Sequence, residues 1–225
     1  MPTPDIPQVE MAIVEMTNAV RKQHQASEVK PDPGLTEAAR AYARFLANSK
    51  LFSHTADGRQ PADRAKAAGY KPCYVSENLS SNLDTRGFEV KQLARAAIQG
   101  WMNSPGHRKN LLMDHVSQIG VGVAKTPGEE RYISVQMFGR PHDMAYKFRI
   151  NNASGQTVTY DFLSRTQEIK PRYTTTHTAC LPGEVTFKQP GDGLIGRYQA
   201  RDGDVFVLRR RNDGVSVELV RGGQP

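Results

Sequence analysis

The stretch "WMNSPGHRKNLL" (residues 101–112) has the pattern of a helix start that carries a histidine. Ser104 is a favoured N-cap residue and Pro105 is pre-organised for the first helical position, so a helix is predicted from residue 105 onward. His107 then occupies the third helical position, where backbone N–H groups have no partner within the helix. The positive end of the helix dipole disfavours imidazolium, and a neutral imidazole can bind a metal or accept a proton. The stretch therefore indicates either a functional histidine or an ordinary solvated one.

The composition is that of a folded globular protein. The chain has 225 residues, of which 38% are hydrophobic and 24% are charged, and its net charge is +7. Because the basic residues are scattered among acidic ones and no nucleic-acid-binding motif is present, we expect no nucleic-acid partner. No apolar run reaches the roughly 18 residues of a transmembrane segment, and the N-terminus lacks the pattern of a signal peptide.

The first part of the chain alternates between helical and strand patterns. Apolar spacing predicts an amphipathic first helix, and Thr36 is the predicted N-cap of an Ala-rich second helix. Further helices are predicted over residues 61–69 and 87–103, a strand at "CYVSENLS" (73–80), and a hairpin of strands 117–126 and 131–139.

The pattern of apolar and polar residues changes near residues 139–143. Beyond this point there is no helical period, and alternating segments such as "AYKFRI", "GEVTFKQ" and "DVFVLRR" are separated by turn signals that include "PGDG" and "RNDG". We therefore predict two domains, residues 1–140 and residues 143–225, the second a small all-β domain of sandwich or barrel type.

Several residues of the first domain form a recognisable series. In chain order, they are Asn18 and Arg21, His54, Asp57-Gly58, Arg64, Glu77-Asn78, Trp101, Ser104, Gly106-His107 and the "IGVGV" strand. By these elements, residues 10–139 resemble the CAP superfamily (cysteine-rich secretory, antigen 5 and pathogenesis-related 1 proteins), most closely its bacterial SCP-like branch. Taken together in this order, they are a specific signal.

The resemblance implies an α+β fold, a three-layer α-β-α sandwich, with a cleft in which two histidines and acidic residues converge. His54 and His107 would be the cleft histidines and Glu77 the acid of the "EN" motif. Many eukaryotic members carry a second glutamate shortly after the tryptophan, and this chain has Asn103 or Ser104 there. The missing carboxylate predicts a weakened metal site.

Two imidazoles and one carboxylate suit a divalent ion such as zinc, so we expect His54, His107 and Glu77 to bind zinc weakly. The alternative is that these side chains hydrogen-bond to one another through ordered water. Asn78 and Ser104 would support the cleft, Asn78 by satisfying backbone groups and Ser104 by capping its helix. On this assignment, substitution of Asn78 lowers stability, whereas substitution of Glu77 changes metal affinity with little effect on melting.

Three functions remain open. The first is a secreted or periplasmic binding module for a lipid, an envelope component or a protein, as the resemblance implies, and we favour it. The second is a metal- or water-dependent hydrolase, protease-like, that uses Glu77 as base together with the cleft histidines. The third is a structural envelope protein with a vestigial cleft.

The two cysteines, Cys73 and Cys180, are compatible with one disulfide or with two free thiols. Any intrachain bridge must join them, and it would link the two predicted domains. Such a bridge fits an oxidising compartment, in agreement with the export that the resemblance implies. No thiol-protease signature surrounds either residue.

Overall fold

The computed structural model describes residues 2–189, 193–212 and 214–222. The chain divides into two compact units, Met1–Asp143 and Met144–Pro225. The predicted turns "PGDG" and "RNDG" fall partly on residues 190–192 and 213, which lie outside the described residues.

The first unit alternates helices with the strands of one sheet. Its helices are α1 (Ile6–Gln23), α2 (Pro33–Ser49), α3 (Pro61–Ala67), α4 (Val90–Met102) and α5 (Pro105–Leu111). Its strands are β1 (Lys30–Pro31), β2 (Pro72–Leu83), β3 (Gln118–Lys125) and β4 (Arg131–Pro141), and a 3-10 turn, His142–Met144, follows them.

The sheet has the order β1-β3-β4-β2, with β1 parallel to β3 and the other neighbours antiparallel. One face packs against α1, α4 and α5 around Trp101, and the opposite face packs against α2 and α3 around Tyr42. Along β4, Ile133 and Val135 face the α2 side whereas Phe138 faces the α1 side, because successive side chains of a strand point to opposite faces. The unit is therefore an α-β-α sandwich, which confirms the predicted fold.

The glycines of "IGVGV" allow α2 to lie directly on the sheet. A Cβ atom at Gly120 would lie 2.1 Å from the carbonyl carbon of Leu35, and one at Gly122 would lie 2.2 Å from the backbone nitrogen of Arg40. No side chain fits at either position, so the alternation of glycine and valine in this strand serves the contact between helix and sheet.

Helix α2 begins earlier than the sequence predicts. Asp32 is its N-cap, and the Asp32 side chain accepts a hydrogen bond from the backbone N–H of Leu35 at 2.9 Å. The prediction of Thr36 as the cap was wrong because Pro33 fits the first helical turn, where its missing N–H leaves no donor unsatisfied. Thr36 instead donates its hydroxyl to the Asp32 carbonyl at 2.8 Å.

The second unit contains β-strands in two four-stranded sheets with the orders β10-β9-β6-β7 and β12-β11-β5-β8. The strands are β5 (Tyr146–Ala153), β6 (Val158–Phe162), β7 (Arg165–Ile169), β8 (Thr174–Ala179), β9 (Glu184–Lys188), β10 (Leu194–Gln199), β11 (Val205–Arg211) and β12 (Gly214–Val220). Both sheets contribute side chains to one core that includes Phe148, Tyr160 and Phe206. Strands β7 and β8 had no apolar alternation to predict them, because their side chains are mainly polar.

No helix among the described residues of either unit is long and apolar enough to cross a membrane.

Candidate functional site

The centre of the site is the carboxylate of Glu77, a buried side chain of β2. Its Oε1 lies 2.9 Å from Nδ1 of His54, and its Oε2 accepts a hydrogen bond of 2.7 Å from Nη2 of Arg64. Glu77 is 4% exposed and Arg64 is 6% exposed, whereas the side chain of His54 is 48% exposed. The buried ion pair thus holds an imidazole that remains open to solvent on its other side.

Arg64 is fixed from several directions. Its Nη1 donates to Asp57 Oδ1 at 2.9 Å and to the carbonyl of Arg59 at 2.9 Å, and its Nη2 also donates to the carbonyl of His54 at 3.0 Å. The guanidinium carbon lies 3.5 Å from the centre of the Tyr42 ring. Arg64 therefore positions the loop that carries His54 as well as the carboxylate that contacts it.

Tyr42 supports the same loop from α2. Its hydroxyl donates to the carbonyl of Ser53 and accepts from the backbone N–H of Ala56 at 3.1 Å. Burial raises the pKa of the Tyr42 hydroxyl, so this group remains a neutral donor. His54 is consequently held on both sides by groups anchored in α2 and α3.

Asn78, the next residue of β2, connects the sheet to α5. Its Nδ2 donates to the carbonyl of His107 at 3.1 Å and to Gln136 Oε1 at 3.1 Å, and its Oδ1 accepts from Asn110 at 3.0 Å. The chain of bonds continues from Gln136 Nε2 to the hydroxyl of Thr17 at 2.8 Å. Asn78 thus satisfies backbone and side-chain groups around α5, the role proposed for it from the sequence.

The helices α4 and α5 also cover the free edge of β2, which is an edge strand of its sheet. Nε1 of Trp101 donates to the carbonyl of Leu79 at 2.9 Å, and Nδ2 of Asn110 donates to the carbonyl of Glu77 at 3.2 Å. These contacts satisfy backbone acceptors that would otherwise be free to pair with another strand. They place the start of α5 beside the strand that carries Glu77.

His107 lies at the third position of α5 and is half-buried. Burial lowers its pKa, and the nearby His54 lowers it further by charge repulsion. The ring is therefore neutral at pH 7, as the sequence predicts, with burial as the main cause. His54 and His107 therefore lie near enough to each other for their charges to interact.

Ser104 is the N-cap of α5, and Pro105 opens the helix, as predicted. The Ser104 side chain makes no capping hydrogen bond, however, so the prediction that its hydroxyl caps the helix was wrong. The helix is held instead at its far end, because Nη1 of Arg21 donates to the carbonyls of Leu111 at 2.8 Å and Met113 at 3.1 Å. Arg21 is fully buried, and burial lowers its pKa.

The predicted three-ligand metal site does not form. Both oxygens of Glu77 are engaged by His54 and Arg64, and the described residues hold no group of three His, Cys, Asp or Glu side chains placed to hold a metal ion. Glu77 is instead an outer partner that orients His54, in the way that carboxylates orient metal-binding histidines.

Two contributors to the site were not predicted from the sequence. Arg64 was only an element of the resemblance, and Asn110, which bonds to both Glu77 and Asn78, was given no role. A signal was available for Arg64, because a buried glutamate needs a cationic partner.

Among the described residues no cysteine is free, with Cys73 in β2 and Cys180 following β8. The pairing of Cys73 with Cys180 stays a prediction.

Comparison with known sequences identifies the family of this chain. The model of the cysteine-rich secretory protein family, CAP, matches residues 14–138. The protein YkwD of Bacillus subtilis is 30% identical over 118 residues, which are 52% of this chain and 43% of that protein. The membrane protein YlbC of the same organism is 27% identical over 125 residues, 55% of this chain and 34% of YlbC. The chain thus spans less than half the length of either relative.

Solved structures share the fold of the first unit. An extracellular protein containing an SCP domain from Bacillus anthracis superposes with a TM-score of 0.50 at 25% identity, covering 60% of this chain and 41% of that one. An outer surface protein of Borrelia burgdorferi gives a TM-score of 0.52 at 22% identity, covering 59% of this chain and 92% of that one. The CAP family model matches residues 14–138, which are more than half of this chain. The chain therefore belongs to the cysteine-rich secretory protein (CAP) family.

Proposed function

We propose that the protein is an extracytoplasmic binding module whose cleft presents two imidazoles, His54 and His107, to a ligand. The observation that carries the proposal is the state of Glu77, whose two oxygens are both held, one by His54 and one by Arg64. A carboxylate engaged in this way is a poor general base or nucleophile, and it orients a neighbour instead.

The hydrogen bond to Glu77 assigns the tautomer of His54. Because Nδ1 lies 2.9 Å from a carboxylate oxygen, we assign the ring proton to Nδ1. In the neutral form of the ring, Nε2 then keeps its lone pair on the exposed side. His107 supplies the second imidazole, and burial lowers its pKa. The pair would be able to hold a divalent ion such as zinc and leave its other positions to water or a ligand.

Such a site is weak, because two protein ligands are fewer than the three or four of ordinary zinc sites. Zinc binding also requires neutral imidazoles, so it should fade as the pH falls below about 6.5, the ordinary pKa of histidine. The lowered pKa of His107 keeps that ligand available somewhat below this value.

The proposed location rests on the relatives. The solved Bacillus anthracis protein is extracellular by its description, and it shares 25% of its residues with this chain over the matched region. An extracytoplasmic location also agrees with the proposed bridge between Cys73 and Cys180, which requires an oxidising compartment. Export is therefore part of the proposal.

The experiment is a calorimetric titration with Zn²⁺ at pH 7.5 of the wild type and of the double variant His54→Ala, His107→Ala. The matched control is His115→Ala, which removes an exposed histidine that follows α5. We expect weak saturable binding by the wild type and the control, and none by the double variant. Equal zinc uptake by all three proteins would overturn the proposed cleft site.

The pair His54 and Glu77 also supports a second candidate, a hydrolase. A histidine whose Nδ1 is held by a carboxylate can take a proton from water at Nε2, so His54 rather than Glu77 would be the base. A panel of p-nitrophenyl esters and casein tests it. Turnover by the wild type that is lost in His54→Gln and retained in His115→Gln would favour the hydrolase over the binding module.

A further inference from the structure

The outer face of the sheet β12-β11-β5-β8 in the second unit is polar and basic. Along β5 buried side chains alternate with exposed ones, and Lys147, Arg149 and Asn151 are exposed. Directly across from them, β8 exposes three threonines. Residues that lie opposite each other on antiparallel strands share a face of the sheet, so these six side chains form one β5–β8 ladder. Its cross-strand pairs are Lys147–Thr178, Arg149–Thr176 and Asn151–Thr174.

Strands β11 and β12 extend this face without adding an unpaired carboxylate. Strand β11 runs parallel to β5, with Val205 beside Arg149 and Val207 beside Asn151. Further along β11, Arg209 forms an ion pair of 2.5 Å with Glu218 of β12. The carboxylate that β12 contributes is therefore neutralised by its own neighbour in the sheet.

The two cations of the ladder, Lys147 and Arg149, have no ionic partner within the described residues. Two positions along one strand separate them by about 7 Å. The six side chains of the ladder also make no hydrogen bond to another described residue. Both cations are therefore available to an anion. The ion pairs of this unit join Lys188 to Asp161, Arg197 to Glu184, Arg209 to Glu218 and Arg221 to Asp204.

A recess of about 250 Å³ lies beside the two cations, and both line it. Two carboxylates line it as well. Asp204 is buried and accepts a hydrogen bond of 2.8 Å from Nη1 of Arg221, which neutralises its charge. Asp202 accepts from the backbone N–H of Lys147 at 2.7 Å. Two unpaired cations, Lys147 and Arg149, thus face one unpaired carboxylate, and the recess is complementary to an anion.

We propose that this face binds an acidic polysaccharide whose sugars carry carboxylates. The carboxylates would pair with Arg149 and Lys147 through charge-assisted hydrogen bonds. The sugar hydroxyls would bond to Asn151 and to the three threonines, whose hydroxyls both donate and accept. A nucleic acid fits less well, because the described residues of this face place no aromatic ring between the cations for bases to stack on. The surface uses no residue of the histidine cleft and goes beyond the function proposed above.

The test uses polygalacturonate as the probe, in affinity electrophoresis of the whole chain through gels that contain increasing amounts of the polymer. The double variant Lys147→Gln, Arg149→Gln should weaken binding by about 10-fold or more, because it removes both charge-assisted contacts. The matched control is Lys22→Gln, Arg95→Gln, which removes the same two charges from exposed positions of α1 and α4. It should bind like the wild type, which separates a local contact from an effect of net charge.

A second variant gives Arg149 a partner inside its own sheet. Thr176→Glu places a carboxylate directly across from Arg149, and opposite charges at such positions stabilise a sheet. Thermal melting should therefore show a fold at least as stable as the wild type, whereas binding of polygalacturonate should be lost. The double variant His54→Ala, His107→Ala should bind the polymer like the wild type.

Two further probes define the ligand class. Neutral dextran should not retard the wild type, and single-stranded oligothymidylate should bind more weakly than polygalacturonate. The proposal would be overturned by a wild type that polygalacturonate does not retard, by equal losses in Lys147→Gln, Arg149→Gln and its control, or by retained binding in Thr176→Glu. Equal retardation by dextran or tighter binding of oligothymidylate would overturn it as well.

Discussion

Asn78 Nδ2 donates a hydrogen bond to the carbonyl oxygen of His107, 3.1 Å away, and so ties the strand that carries Glu77 to the helix that carries the second cleft histidine. The bond is one member of a buried network that continues through Gln136 to Thr17 of α1. The relative position of the two cleft histidines therefore depends on an amide that touches neither imidazole ring.

Replacing Asn78 by alanine should lower the free energy of unfolding by about 1–3 kcal/mol, because it leaves buried groups without partners. Urea denaturation followed by the fluorescence of Trp101 measures this in the first unit, since the chain has one tryptophan and it is buried. Asn103→Ala, at an exposed position, is the control and should change stability by less than about 0.5 kcal/mol. An Asn78→Ala protein as stable as this control would contradict the structural role.

Glu77→Gln should destabilise the fold, contrary to the expectation from sequence that it changes metal affinity with little effect on melting. The substitution removes a buried charge that pairs with Arg64, and breaking such pairs costs about 3–5 kcal/mol. We expect the lower end of this range, because Asp57 still pairs with Arg64. The control is Glu129→Gln, an exposed partner of Arg131, for which about 0–1 kcal/mol is expected. Equal melting curves for the two variants would show that the buried pair contributes little.

Acid should destabilise the second unit through His177. Its ring stacks on Phe148 with centroids 4.9 Å apart, its Nε2 lies 2.9 Å from the Tyr160 hydroxyl, and burial lowers its pKa. The unfolded chain takes up the proton near pH 6.5, above the pKa of the folded state, so it binds more protons in the window between the two values. Stability is therefore complete above about pH 6.5 and falls as the pH drops through that window.

The measurement for His177 is the pH dependence of thermal unfolding between pH 7.5 and 5 in the wild type and His177→Phe. Phenylalanine preserves the aromatic stack and does not titrate, and Tyr160 retains Gln167 as a partner at 3.3 Å. In His177→Phe the melting temperature should fall less steeply with decreasing pH than in the wild type. In His24→Gln, at an exposed position, it should fall as steeply as in the wild type. Identical slopes in all three proteins would rule out His177 as a source of the acid sensitivity.

A disulfide between Cys73 and Cys180 is expected in protein made in an oxidising compartment. In the chain-entropy model, a bridge that closes so long a loop stabilises the folded state by about 4–5 kcal/mol, and measured gains are often smaller. Mass spectrometry after alkylation without reductant counts the free thiols, and the same sample after reduction is the control. Two alkylated cysteines before reduction would contradict the prediction, and the disulfide would then no longer support export.

The local patterns of the sequence were sufficient for most helices and for strands β2, β3 and β4 of the first sheet, but they did not predict the two-residue strand β1. Helices are predicted from the spacing of apolar residues along a short stretch of the chain. A proline that follows an N-cap residue marks the start of α5 without any information from the rest of the fold. The N-cap of α2 was predicted at Thr36 and is Asp32, one helical turn earlier. Strands β7 and β8 escaped prediction because their polar side chains become strands only through pairing with β6 and β5.

The sequence by itself determined the family and the order of the helices and long strands of the first unit, because these depend on residue types and their spacing. Only the tertiary structure decided what Glu77 does. The sheet buries its carboxylate beside Arg64, which comes from a separate helix, and a buried charge must take the partner that the fold brings to it. That partner leaves Glu77 orienting His54 rather than binding a metal, and no pattern along the chain states how close these two side chains lie.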